Sequence, residues 1–193
     1  MKHVKTADEA VNAANLKPGS RIYCAGNAAT PQLLLKQLVA DESIREVEML
    51  GVLLLGDIDA LFSEPVCGRI THRVIFNSHH SRQAVNRGWA QYQLMHLSDI
   101  PRQLRESIRP DTVLLSVSGP DKAGNYSLGT TVEGLKSAIQ SAKARGGLVI
   151  AERNARMPFI LGAMVHEKDI DYLIDSDYPL PQSPVKLPDE RSR

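Results

Sequence analysis

The sequence predicts an α/β domain built on an open, mainly parallel sheet flanked by helices. Three observations predict it. Strand-like and helix-like segments take turns along the 193 residues. The strand-like ones are short apolar runs such as "VEMLGVLLLG" and "TVLLSVS" that read as buried strands. Clusters of small and turn-forming residues sit where a strand passes into a helix. Such alternation requires crossover helices, and crossover helices join parallel strands.

Taken in order, "TADEAVNAANL" reads as a first helix, because Thr6 and Glu9 have the spacing of a capping box. "SRIYCAG" is a short strand, and Thr30-Pro31 reads as an N-cap followed by proline at the first position of the helix "PQLLLKQLVA". "VEMLGVLLLG" and "THRVIFN" are strands, and "SRQAVNRG" is a short helix ending at Gly88. Ser98 is placed to cap "DIPRQLRESI", and "TVLLSVS" returns to strand. Thr130 and Glu133 repeat the capping-box spacing ahead of "VEGLKSAIQSAKARGG", which ends in glycines before the strand "LVIAE". One α/β domain is expected over residues 1–177. Residues 178–193, rich in proline and charge, read as an extended linker or tail.

The chain is long enough for a hydrophobic core that needs no disulfide or metal staple. Lys plus Arg at 23 against Asp plus Glu at 22 gives none of the basic excess that favours nucleic acid or an anionic membrane. A small-molecule partner fits better. Two cysteines, Cys24 and Cys67, make no disulfide framework, and "MKHVKTADEAVNAANL" lacks the apolar core of a signal peptide. A reducing cytoplasm is the expected location, and no apolar run approaches membrane-helix length.

Candidate chemistry gathers in loops at the carboxyl ends of strands, where open α/β sheets bind ligands. The stretch "VSGPDKAGNYSLGTTVEG" follows the strand "TVLLSVS". Pro120 and Asp121 suit a turn, Gly124 can take positive φ, and Gly129 lets backbone come close to a neighbour or ligand. Amides at the next helix start can face an anion. In "CAGNAATP", Gly26, Asn27 and Ala28 leave amides uncovered for an oxyanion or diphosphate, although neither the dinucleotide fingerprint nor the P-loop pattern is present. "AERNARMPFILG" puts Glu152, Arg153 and Asn154 after a strand, and Asn154 either bonds a substrate carbonyl or holds the loop.

Other constellations read as structural. His72, His79, His80 and His96 have no metal-ligand spacing, and no cysteine or carboxylate cluster completes a set, so no metal is expected. Cys24 reads as a buried core thiol ahead of a nucleophile. Trp89 and Tyr92 read as anchors of the core or of a contact between halves, and Arg82 as part of a solvated helix face.

The segments "FNSHHSRQAVNRGWAQYQLMHLSDIP", "VSGPDKAGNYSLGTTVEGLKSAIQSAK" and "IAERNARMP" resemble, in order and near spacing, the acetyl-CoA hydrolase/transferase family. That family includes acetate and 4-hydroxybutyrate CoA-transferases and is similar to class I CoA-transferases, with a fold like that of NagB and RpiA. The resemblance runs from "LKPGSRIYCAGNAATP" to "IDYLIDSDYPL", and "PDKAGNYSLG" is its most specific element. It implies CoA exchange between a short acyl-CoA and a carboxylate through a glutamyl thioester, with coenzyme A as substrate and no metal or redox cofactor.

A full-length member has two related halves, with the nucleophilic glutamate in the second, so the resemblance identifies this chain as the first half. Neither Glu133, read as a cap, nor Glu152 stands in for the nucleophile. A second half or subunit, or self-association, is the implied partner. The resemblance places here the wall of the acyl pocket: Gly26, Asn27 and Ala28, then Ser118, Pro120, Gly124, Ser127 and Gly129, then Asn154, Met157 and Pro158. It departs at "MPFILG", where Phe159 and Ile160 stand in place of the Arg-Thr of many relatives. Two other readings fit the residues: an acyl-CoA hydrolase, and a catalytically empty acyl-CoA or carboxylate-binding module on the same fold.

Overall fold

The structure, a computed structural model, describes residues 1–183. Its strands are β1 (Lys2–His3), β2 (Arg21–Cys24), β3 (Val47–Gly51), β4 (Ile70–Val74), β5 (Ala90–Tyr92), β6 (Thr112–Val117), β7 (Asn125–Ser127), β8 (Leu148–Asn154), β9 (Met164–His166) and β10 (Tyr172–Ser176). The helices are α1 (Gln32–Ala40), α2 (Glu64–Cys67), α3 (His79–Asn86), α4 (Ile100–Gln103) and α5 (Leu135–Lys143). Eight strands form one sheet in the order β1-β10-β8-β6-β2-β3-β4-β5, and every pairing in it is parallel. The antiparallel pair β7 and β9 forms a separate ribbon. The expected open parallel sheet is therefore present.

Strand periodicity sorts the core into two layers. On one face Ile22, Cys24, Met49, Leu114 and Ile150 pack with Leu34, Leu35 and Leu38 of α1. On the other Tyr23, Ala25, Leu50, Val113, Leu115 and Val149 pack with Leu135, Ala138 and Ala142 of α5. β6, central in the sheet, is buried at all six positions, which is why "TVLLSV" shows no polar alternation.

Local expectations fail where side chains bond elsewhere. The capping box at Thr6 and Glu9 forms, yet it opens only a 3-10 turn over Ala7–Glu9 rather than the expected helix. Asn12 ends it: its Oδ1 accepts from Ala14 N (3.1 Å) and Asn15 N (3.0 Å). Thr30 does not cap α1. Its hydroxyl donates to Asn27 O (2.8 Å) and accepts from Leu55 N (3.1 Å), tying the loop after β2 to the loop after β3. Ser98 caps nothing; it lies in the turn Leu97–Asp99, after which α4 and the π turn Leu104–Ile108 follow. Ser78 does cap α3, accepting from Ser81 N.

Tyr178, the first residue of the expected linker or tail, bonds back to the domain: its hydroxyl accepts from Gln32 N (3.0 Å) and donates to Thr30 O (3.3 Å). Residues 184–193 of that expected tail lie outside the described residues.

His72 of β4 is 1 % exposed, and neither ring nitrogen reaches a hydrogen-bond partner among the described residues. It packs against the Phe62 ring at 5.1 Å between centroids. Burial lowers its pKa from 6.5 to about 4. The unfolded chain therefore binds the proton first, and stability falls as pH drops through 6.5 towards 4. This group alone accounts for about 2 kcal/mol between pH 7 and pH 5. Urea denaturation of His72→Phe is expected to lose that increment of acid sensitivity; an unchanged difference between the two pH values contradicts it.

Candidate functional site

The strand order reverses between β2 and β6. From β2 the chain proceeds outward through β3, β4 and β5, then returns to lay β6 on the other side of β2. The helix after β2, α1, packs on one face of the sheet, and the helix leading on from β6 and β7, α5, packs on the other. The connections above the neighbouring carboxyl ends diverge and leave a crevice, the place where open α/β sheets take ligands.

Asn27, from the loop after β2, and Glu133, just ahead of α5, meet in this crevice. Asn27 Nδ2 donates to Glu133 Oε1 at 2.9 Å, and the Tyr23 hydroxyl lies 3.4 Å from Glu133 Oε2. Both Asn27 (φ 50°) and Glu133 (φ 40°) adopt the left-handed region. That region costs a non-glycine residue roughly 1–2 kcal/mol, and such outliers cluster at functional sites. The reading of Glu133 as a cap is corrected here: α5 starts at Leu135 with Gly134 as its N-cap, and the left-handed turn sends the carboxyl to Asn27 instead.

The pair opens on a cavity of about 540 Å³ lined by Asn27, Val52, Leu53, Phe76, Leu97, Ile100 and Glu133. Those residues come from the carboxyl-end connections of β2, β3, β4, β5 and β6. Phe76 and Leu97 are exposed at 40 % and 57 %, so the apolar wall is open on one side. Burial raises the Glu133 carboxyl from 4.5 to about 7, against hydrogen bonds from Asn27, Tyr23 and the Gly26 backbone. It can hold or release a proton near neutrality.

The loop around Gly26 is tighter than expected. Asn27 N donates to Leu53 O, Ala29 N to Gly26 O and Thr30 N to Asn27 O. Of the Asn27 to Thr30 amides, Ala28 N is the one left without a partner among the described residues.

The other expected wall residues gather in a neighbouring cluster and do not line the cavity. Asp121 accepts from Ala123 N and Asn125 N, each at 2.8 Å, closing the turn after Pro120. Ser127 N donates to Ser118 Oγ (3.0 Å), while Ser127 Oγ accepts from Gly129 N (3.0 Å) and donates to Ile160 O (2.7 Å). Gly124 (φ 77°) accepts from Glu167 N, and Gly129 (φ 64°) lies against Met157. The amides of Ala123, Asn125, Ser127 and Gly129 are thus bonded within this loop itself. Asn154, fully buried, donates to Tyr178 O (3.0 Å) and accepts from Arg156 N (2.9 Å), so it holds the loop. Pro158 is exposed beside Phe159 and Ile160.

Glu152 supplies the cap that Thr30 does not. Fully buried on β8, its Oε2 accepts from Leu33 N (2.9 Å) and Leu34 N (3.3 Å) at the start of α1, and its Oε1 accepts from Ser176 Oγ (2.8 Å). The partial positive charge of a helix start suits a carboxylate there. Burial still pushes its pKa up. Cys24 is fully buried with its thiol pushed well up, the opposite of what a thiolate nucleophile needs. Among the described residues no group of three His, Cys, Asp or Glu side chains is placed to hold a metal ion, and no helix is long and apolar enough to cross a membrane.

This fold with its crevice is that of the CoA-transferases. The chain aligns with the crystal structure of RipA from Yersinia pestis at a TM-score of 0.87 and 26% identity, covering 98% of this chain and 45% of that one. It aligns with 4-hydroxybutyrate CoA-transferase from Porphyromonas gingivalis at a TM-score of 0.70 and 24% identity, covering 94% and 41%, a likeness of fold alone. Within that class, the chain belongs to the acetyl-CoA hydrolase/transferase family: residues 1–182 match the family's N-terminal domain. It is 33% identical over 188 residues to 4-hydroxybutyrate coenzyme A transferase of Clostridium kluyveri, covering 95% of this chain and 42% of that protein. It is 29% identical over 169 residues to the succinyl-CoA:acetate/propanoyl-CoA:succinate CoA transferase of Fasciola hepatica, covering 85% and 34%. The chain spans less than half the length of these relatives.

Proposed function

We propose that this chain is the amino-terminal half of a CoA-transferase that exchanges CoA between a short acyl-CoA and a carboxylate. It forms the wall of the acyl pocket, and the nucleophilic glutamate comes from a second half or subunit. The observation that carries this reading is the half-open apolar cavity at the strand-order reversal, set in a chain of this family. Coenzyme A enters as substrate, and the exchange calls for no metal or redox cofactor.

Attack of a carboxylate on a thioester builds negative charge on the carbonyl oxygen, which fixed donors stabilise. The Ala28 amide, next to Asn27 in the chain and without a partner among the described residues, is available as such a donor. Val52, Leu53, Phe76, Leu97 and Ile100 shelter the acyl chain from water, and the exposed sides of Phe76 and Leu97 fit a cover supplied by the other half. The Ser118 to Gly129 loop and Met157 form one unit, through the contact of Gly129 with Met157.

The test is CoA exchange between acetyl-CoA and short carboxylates, with this chain alone, a glutamate-bearing second half alone, and both together, followed by borohydride trapping of the thioester. Turnover is expected only in the mixture, with the trapped thioester on the second half. Turnover by this chain alone, abolished by Glu133→Gln or Cys24→Ser, would overturn the division of labour.

A further inference from the structure

We propose that the groove between α5 and the turn ahead of β6 binds a phosphate group, presented by inorganic phosphate or by a nucleotide diphosphate. It lies at the amino ends of β6 and β8, about 20 Å from the crevice along the six residues of β6. The proposal stands whether or not the crevice is an acyl pocket.

The groove has a volume of about 380 Å³ and is lined by Arg105, Arg109, Gln140, Ser141, Ala144 and Arg145. Arg105 comes from the π turn Leu104–Ile108, and Arg109 from the left-handed residue (φ 48°) that ends it. Arg145 follows the last turn of α5. Three guanidiniums thus share one groove with no carboxylate among its lining residues. The acids around it are engaged elsewhere. Asp111 stands 3.7 Å from Arg145 Nη2 and is shared with Arg21, whose backbone N donates to it at 2.9 Å. Glu106 pairs with Arg102, and Asp171 with Lys143.

A guanidinium offers five N–H donors and no acceptor. Arg145 spends its Nη donors on the chain, at Ser141 O (3.0 Å), Ser141 Oγ (2.9 Å), Arg109 O (2.6 Å) and Pro110 O (2.7 Å). That is the capping duty of a basic residue at a helix C-terminus, and it ties α5 to the turn that carries Arg109. Arg105 spends a single donor, on Ser137 Oγ (2.6 Å), and the Arg109 guanidinium has no partner among the described residues. Capping therefore accounts for one arginine of the three. The other two leave charge and donors open, and the Gln140 amide can donate beside them.

The complement to open guanidiniums is an anion with several oxygens. A carboxylate fills a single planar fork with its two oxygens, whereas a phosphate carries a charge near −2 and a third oxygen for a second fork. Two unspent arginines match that demand. The geometry is partly fixed in advance, because Ser137 holds Arg105 and Arg145 holds the carbonyls of Arg109 and Pro110.

The test follows the arginine side-chain N–H signals of the ¹⁵N-labelled chain during titration with inorganic phosphate, inorganic diphosphate, ADP and acetate at constant ionic strength. Saturable shifts at Arg105 and Arg109 are expected with the three phosphate compounds and not with acetate. ADP binding tighter than diphosphate assigns the phosphate to a nucleotide, and equal binding assigns it to the free anion; either upholds the site. Arg105→Gln and Arg109→Asn, the latter suited to left-handed backbone, should each weaken phosphate about tenfold. Arg102→Gln removes the same charge from a side chain paired with Asp99 and Glu106, and should weaken it less than about twofold. Equal weakening by all three variants, or shifts that acetate and phosphate produce alike, would overturn the site and leave only the general field of a basic face. The same holds if phosphate shifts nothing while phosphatidylserine vesicles or polyglutamate do, since the occupant is then a membrane or an acidic protein. The wild-type titrations decide even if a variant fails to fold.

Discussion

Gly26→Ala is expected to damage both the fold and the site, though it adds one methyl group. That methyl would stand 2.6 Å from Leu53 O and 2.9 Å from Glu133 Oε1. The carbonyl cannot retreat, because it accepts the Asn27 amide that ties the loop after β2 to the loop after β3. Overpacking of this kind costs about 1–3 kcal/mol. The Glu133 carboxyl would be pushed off Asn27 at the same time. Urea denaturation is expected to show a loss in that range, and the ¹³C signal of Glu133 to shift. His79→Ala, outside the cavity, serves as the control. A Gly26→Ala chain with wild-type stability and an unmoved Glu133 signal would show that the approach is looser than described.

Glu152→Ala is expected to be worse, at about 3–5 kcal/mol, because it combines a cavity with stranded polar groups in the core. Leu33 N, Leu34 N and Ser176 Oγ would all lose their partner in a site that is fully buried. Glu152→Gln should cost much less, since an amide oxygen can still accept from the start of α1. It also changes the pH dependence in a defined direction. The buried carboxyl has its pKa raised from 4.5, so its contribution is most favourable below pH 4.5 and declines as pH rises above it. Glu152→Gln removes that decline. Denaturation midpoints across this range test both variants. A Glu152→Ala chain within about 1 kcal/mol of wild type would mean that the α1 cap is not needed.

What could be read from sequence followed from local patterns. "TVLLSVS" and "LVIAE" read as strands because they are short and mainly apolar, and both lie in the buried middle of the sheet. The turn chemistry at Asp121, the positive φ at Gly124 and the close approach at Gly129 were equally local. Glu133 was misread for the converse reason. Its spacing from Thr130 matches a capping box, and nothing nearby in sequence reveals that Asn27, 106 positions away, is its partner. That meeting depends on β6 returning to pair with β2, in the register Ile22 with Thr112, a property of the whole topology. Glu152 was hidden the same way, since α1's cap comes from β8 and not from the residues before the helix. Asn154 Oδ1 follows the local rule, accepting from the backbone two residues on, whereas Ser127 Oγ reaches Ile160, 33 positions away.

The central claim is that the cavity between Asn27, Leu97 and Glu133 receives the acyl group. Methyl NMR of this chain during titration with an N-methyl short-chain amide tests it most directly. Val52, Leu53, Leu97 and Ile100 line the cavity and report on it, while Val39 and Val66, beside Arg69 on another part of the surface, serve as controls. The account predicts saturable shifts at the four cavity residues with the controls still. Shifts centred on Val39 and Val66, or saturable binding that leaves Leu97 and Ile100 unmoved, would contradict it.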